Sequence, residues 1–323
     1  MRQLILLLTV LIGTILMSSE LKAQLITTPM ASPAAVVKQE LGLSWVKISY
    51  HRPAVKGREI WGKLVPYGLT TFQFGKGNPA PWRAGANENT TITFTDDAKI
   101  EGQPIKAGTY GLFMIVEPEE WTLILSSNAT SWGSFYYDEK EDVLRVKLKP
   151  QTAEHKEWLE YGFDTITFNS VNAYLHWEKV KVPFKIEFDV DNTVIKNIEN
   201  QLRNTAGFTW QGWNQAASYC VRSNTFLDKG EEWAKKSIAM NENETNRNIY
   251  GYILLAAGKN DEALKVFKEN VKKYPDSWNV KDSLGEAYKT LGDKKNAKKY
   301  YEAALKSAPE NQKDRIKKAL SDL

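Results

Sequence analysis

Two short stretches of this chain gather side chains suited to recognition or catalysis. The first is YHRPAVKGREIWG, residues 50–62, where His51, Arg52, Lys56 and Arg58 crowd around Pro53 and Gly57. The second is PWRAGANE, residues 81–88, which sets Trp82, Arg83, Asn87 and Glu88 around Gly85. Arginine forks and an asparagine amide bind carboxylates or hydroxyls through paired hydrogen bonds. Indole faces stack on sugar rings and on cations. His51 beside Glu88 would supply a proton donor and acceptor for acid–base work. These eight residues form the candidate ligand-binding set, with His51 and Glu88 as the one acid/base pairing. The same residues also fit a purely structural role. Arg83 or Arg58 would pair with Glu88, and Trp61 and Trp82 would pack as lids over the edge of a sheet.

Other chemistry is sparse. The histidines are His51, His155 and His176, none paired at ligand spacing, and the chain has no HExxH or CxxC. No transition metal is expected. No GxSxG, P-loop or GxGxxG occurs, and no helical pattern follows Gly75 and Gly77 to cradle a phosphate. No cofactor is implied. Cys220 is the only cysteine, which excludes an intrachain disulfide. It lies in the apolar stretch AASYCV and reads as a small buried hydrophobe.

The elements that must position the two stretches are strands. From about Val36 to Val190 the hydrophobic pattern has a period of two. SWVKISYH, TTITFT, VLRVKLK and FKIEFDV each place apolar side chains on one face and polar ones on the other. Turn signals separate the runs at Glu101-Gly102, Ala107-Gly108, Glu117-Pro118 and Asn169-Ser170. Nine or ten short strands with hardly any helix predict an antiparallel β-sandwich, jelly-roll-like. Residues 150–161 read as one helical turn. At Asp191, a candidate cap, the period changes to that of a helix and no strand follows.

The end of the chain repeats itself. Gly251 and Gly285, Gly258 and Gly292, Ala263 and Ala297, Phe267 and Tyr301, and Pro275 and Pro309 stand in one register. Their spacing of 34 residues is that of the tetratricopeptide repeat. One step earlier lies a degenerate unit with Trp213, Ala217, Cys220 and Trp233, in which Lys229 falls where a small residue belongs and Gly230 fills that place after a one-residue shift. A closing helix at 311–322 completes a stack that two repeats alone could not sustain.

The net charge of +4 resides in this C-terminal part, where 20 Lys and Arg from Lys229 onward stand against 15 Asp and Glu. The charges are interspersed, as on solvated helix faces, so a nucleic-acid partner is not expected. The N-terminus has one basic residue, Arg2, an apolar run from Leu4 to Met17, and small or polar residues up to Ala23. That is the pattern of a cleavable signal peptide, and the run is too short for a spanning helix. No cysteine follows to carry a lipid anchor. The expected location is therefore periplasmic or secreted, with no membrane span after cleavage.

Taken together, SPAAVVKQELGLSWVKISYHRPAVKGREIWGKLVPYG, PWRAGANENTTITF, DDAKIEGQPIKAGTYGLF and YDEKEDVLRVKLKP resemble domain of unknown function 2911. This is a family of secreted bacterial domains often followed by tetratricopeptide repeats. The resemblance implies the order signal peptide, β-domain, helical repeats, and it brings no catalytic residues. The stretch LTTFQFGKGNPAP departs from the family pattern, in which the Pro-Tyr-Gly turn runs almost directly into the Trp-Arg motif.

The expected organisation is α+β and multi-domain: a signal peptide at 1–23, a linker at 24–34, a β-sandwich at 35–190 and an all-α helical array at 191–323. The expected function is a binding or scaffolding module rather than an enzyme, with a protein partner on the repeats and a glycan or carboxylate on the β-domain. The alternative is an envelope- or glycan-acting hydrolase using His51 and Glu88. Protein isolated from the native host should begin near Gln24. N-terminal sequencing checks this, and an intact Met1 on membrane-bound material would refute it.

Overall fold

The computed structural model describes residues 28–73, 75 and 77–323. The expected signal peptide at 1–23 and the first residues of the expected linker at 24–34 lie outside the described residues. Alternating apolar residues build two antiparallel sheets. The larger has the order β1(Ala34–Leu41), β2(Ser44–His51), β5(Thr91–Phe94), β8(Gly108–Ile115), β9(Trp121–Ser126), β10(Asp142–Leu148). The smaller has the order β11(Gln151–Asp164), β12(Ser170–Phe188), β6(Ala98–Ile100), β7(Gln103–Ile105). The chain crosses between the sheets after β5, β7 and β10. The inner faces meet in one core, where Val46, Ile48, Ile92 and Leu112 face Leu175, Trp177, Phe184 and Ile186. In the turn between β6 and β7, Glu101 (φ 47°) and Gly102 (φ 78°) are both left-handed, as a tight two-residue hairpin requires.

The helical turn expected at 150–161 is instead part of strand β11. Leu159 and Tyr161 alternate into the core. The register against β12 shifts between Thr152, Lys156 and Glu160, and these irregularities break the alternation in the sequence.

After Gly68, β3(Thr70–Thr71) pairs with β4(Pro79–Ala80) in a small two-stranded sheet. It lies over the outer face of the large sheet, where Ala80 and Phe72 pack with Phe113, Ile124 and Tyr137. All six residues of β9 are consequently buried, as its run of apolar residues requires.

Eight helices follow: α1(Val190–Leu202), α2(Trp210–Ser223), α3(Leu227–Met240), α4(Glu244–Ala256), α5(Asn260–Lys273), α6(Trp278–Thr290), α7(Lys294–Leu305) and α8(Glu310–Ser321). The cap of α1 is Asp189, whose carboxylate accepts the Asn192 N–H; Asp191 takes the Tyr219 hydroxyl instead. The repeat register is visible as packing. A Cβ on Gly251 would meet the Phe267 ring at 2.7 Å, and one on Gly285 the Tyr301 ring at 3.0 Å. Gly258 and Gly292 take positive φ where the paired helices turn. Gly230 approaches Cys220 in the degenerate unit, and burial pushes that thiol up to about 11. Ile316 seals the end from α8.

Ala297 is fully buried where α7 crosses α6. Ala297→Leu should overpack the crossing and lower stability by about 1–3 kcal/mol. Denaturant unfolding of the full chain checks this, and an unchanged C-terminal transition would refute it.

Candidate functional site

The first candidate stretch leaves β2 and runs along β11. Val55 N–H donates to the Glu157 carbonyl at 2.8 Å, and Leu159 N–H to the Pro53 carbonyl at 3.0 Å. Lys56 (φ 49°) and Gly57 (φ 68°) then turn the chain. The Glu157 carboxylate accepts the Lys56 backbone N–H at 2.9 Å, which holds it below the usual carboxylate range. Arg58 folds back and donates to the carbonyls of Ala54 and Val55, so two of its donors brace the turn. Arg52 donates to the Leu159 carbonyl at 2.8 Å and lies 3.5 Å from Glu160.

The second stretch is held at both ends by β8. Trp82 exchanges two backbone hydrogen bonds with Met114, and Thr90 accepts the Leu112 N–H. Residues 83–89 arch out between these anchors. Ala84 (φ 50°) and Asn87 (φ 57°) sit in the left-handed region, costly for alanine and tolerated by asparagine. The Ala84 carbonyl accepts the Thr90 hydroxyl at 3.1 Å and the Tyr161 hydroxyl at 2.8 Å. Burial pushes the Tyr161 phenol well up, which keeps it a donor.

Between the two stretches lies a cleft of about 450 Å³. Arg58, Trp82, Arg83 and Asn87 line it, with Trp177 and Phe72. Among the described residues no carboxylate lines it. Its floor is aromatic. Trp82 stacks on Trp177 at 6.1 Å, and Trp61 meets Trp82, Trp121 and Trp177 edge-on at 5.8, 4.9 and 5.7 Å. Trp61 and Trp82 therefore pack against the core and do not lie as lids over a sheet edge. The Trp177 side chain is 1% exposed, and its indole N–H is buried with no hydrogen-bond partner among the described residues.

Arg83 is half-buried. Burial lowers its affinity for a proton, and no acidic side chain pairs with it among the described residues. Its Nη1 donates to the Asn87 carbonyl at 2.7 Å. The guanidinium lies 5.3 Å from the Trp132 ring centroid and 5.2 Å from that of Phe135, and these two rings stack on each other. Gly133 permits this approach, because a Cβ there would meet the guanidinium at 2.7 Å. The expected Arg83 or Arg58 pairing with Glu88 is absent. Glu88 instead approaches His51, with Oε2 3.4 Å from Nδ1, and neither residue lines the cleft. The Asn87 amide is tied to the Ser32 carbonyl at 3.2 Å.

Of the eight candidates, Arg58, Trp82, Arg83 and Asn87 converge on the cleft, whereas His51, Arg52, Lys56 and Glu88 stand beside it. Sequence reasoning missed Trp132, Phe135 and Trp177. The aromatic run SWGSFYY, residues 131–137, was the available signal for the first two, since it lacks the alternation of a strand. Among the described residues no group of three or more His, Cys, Asp or Glu is placed to hold a metal ion, and no helix is long and apolar enough to cross a membrane.

Comparison with known proteins covers both parts of the chain. Residues 32–186 match the family described as protein of unknown function (DUF2911). Residues 249–277 and 281–311 each match a tetratricopeptide repeat. No curated protein matches the chain. Among solved structures, the Sgt2 TPR domain from Aspergillus fumigatus is 16% identical, with 35% of this chain and 75% of that one covered and a TM-score of 0.32. TTC0263, a thermophilic TPR protein in Thermus thermophilus, is 19% identical, with 39% and 71% covered and a TM-score of 0.34. PcrH from Pseudomonas aeruginosa is 13% identical, with 35% and 89% covered and a TM-score of 0.32. The chain thus carries a DUF2911 domain at residues 32–186, followed by tetratricopeptide repeats at residues 249–311.

Proposed function

We propose that the protein is an exported two-site binding module. Its helical repeats hold a protein partner, and the cleft of its β-domain takes a small ligand. The repeats are protein-interaction units, and stacking them builds one extended surface. The observation that carries the reading is this stacking in one register, with Ala263, Phe267, Ala297 and Tyr301 buried in a shared core. It leaves polar side chains of successive repeats facing one another, as where the Tyr252 hydroxyl donates to Glu286 at 2.7 Å.

The β-domain supports binding more than hydrolysis. His51 and Glu88 pair with each other outside the cleft, and among the described residues no acid lines the cleft to serve as general acid or base. Export rests on the N-terminal pattern of residues 1–23 and orients the search for partners towards the cell envelope.

Photo-crosslinking in the native host tests the reading. A photoreactive residue replacing Lys289 or Glu286 should give one defined protein adduct. The same residue replacing Lys99, on the β-domain, should not give that adduct. Equal labelling from all three positions, or no adduct from the array, would overturn the protein-partner role.

A further inference from the structure

We propose that the cleft binds a small monoanionic carboxylate with an apolar or aromatic body, held by the Arg83 fork and by the Trp177 indole N–H. This rests on the reading of the cleft as a ligand site and names the ligand's chemistry.

Three observations point the same way. The first is charge. Among the described residues the cleft is lined by two arginines and no acid, and Arg83 is half-buried without a counter-charge. A cation removed from water ordinarily finds an anion, because burial alone disfavours the charge. The rings of Trp132 and Phe135 meet the guanidinium but accept none of its N–H bonds in the plane. Only Nη1 has a protein acceptor among the described residues, out of five donors on a guanidinium. The remaining fork matches a carboxylate in a bidentate arrangement. Arg58 spends two donors on the Ala54 and Val55 carbonyls and contributes mainly charge.

The second observation is the orphaned donor. Trp177 is core-buried and lines the cleft, yet its N–H has no partner among the described residues. A buried donor left unpaired is unfavourable, and an acceptor on a ligand would satisfy it. The third is the wall chemistry. Pro53, Leu64, Val65, Phe72 and Trp82 surround the polar groups. A volume of about 450 Å³ lies within the range of small-molecule sites. One uncompensated fork in apolar walls suits a single negative charge. Arg58 adds charge, but its engaged donors leave Arg83 as the one free fork among the described residues of the cleft, which a single carboxylate fits.

The test uses the full chain and matched probes: N-acetylphenylalanine and hexanoate, their primary amides, and phenyl phosphate. Binding is followed by calorimetry and by the indole N–H resonances, with that of Trp177 assigned through Trp177→Phe. The carboxylates should bind at least about 10-fold more tightly than their amides and should shift the Trp177 resonance. Arg83→Gln should erase this preference. Arg83→Lys, which keeps the cation and loses the fork, should retain only part of it. Amides that bind as well as the acids, or a preference for phenyl phosphate, would overturn the carboxylate assignment and leave the cleft a ligand site. If no probe moves the Trp82 or Trp177 resonance, the reading of the cleft itself falls. Circular dichroism of each variant separates lost binding from lost folding.

Discussion

Four indoles packed at one end of the sandwich set the geometry on which the candidate site depends. Trp121 comes from β9 in the large sheet and Trp177 from β12 in the small one, while Trp61 and Trp82 come from the two connecting stretches. Edge-to-face contacts at 4.9 to 5.8 Å and one stacked pair tie the sheets and both loops into a single cluster. Each such contact adds about 0.5–1.5 kcal/mol beyond burial of area. Large flat side chains also tolerate little displacement in a close-packed interior. The cluster therefore fixes where Arg83 begins its arch and what lies beneath it.

The loop above the cluster is as determined as a strand. Its ends are hydrogen-bonded to β8, and the Ala84 carbonyl accepts from Thr90 and Tyr161. These bonds hold a conformation that alanine avoids in isolation, the kind of locally unfavourable backbone that persists only where its surroundings over-determine it. The motif is thus both an elaborate turn and the wall of a cleft. Its polar groups divide accordingly: the Asn87 amide fastens the N-terminal segment, and Arg83 is left with donors to spare.

Much of the fold was legible because one buried and one wet face produce alternation. The patterns of β2, β5, β10 and β12 name their inward residues directly. Strand β11 was not legible, because its register slips and most of its residues before Leu159 are exposed. The repeats were legible because a helix crossing tolerates only small residues, so Gly251, Gly285, Ala263 and Ala297 recur at the period of the packing itself. At the site, local crowding in the sequence picked out Arg58, Trp82, Arg83 and Asn87. It also picked out His51, Arg52, Lys56 and Glu88, whose partners or positions lie beside the cleft. Trp177 could not be found this way. It alternates correctly as a core residue, and only the three-dimensional neighbourhood reveals its unpaired N–H.

The join between the two parts has a mechanical consequence. Asp189 alone separates β12 from α1, and Val190, the first helical residue, is buried in the sandwich core. Its methyl groups sit so near Gly42 that a Cβ there would have no room. Strand β12 is 19 residues long and pairs with β11 on one side and β6 on the other. A tug on the helices would thus load a buried side chain and a doubly zipped strand in shear, with no slack tether to take up the strain. Force applied by a partner on the array would be felt inside the sandwich.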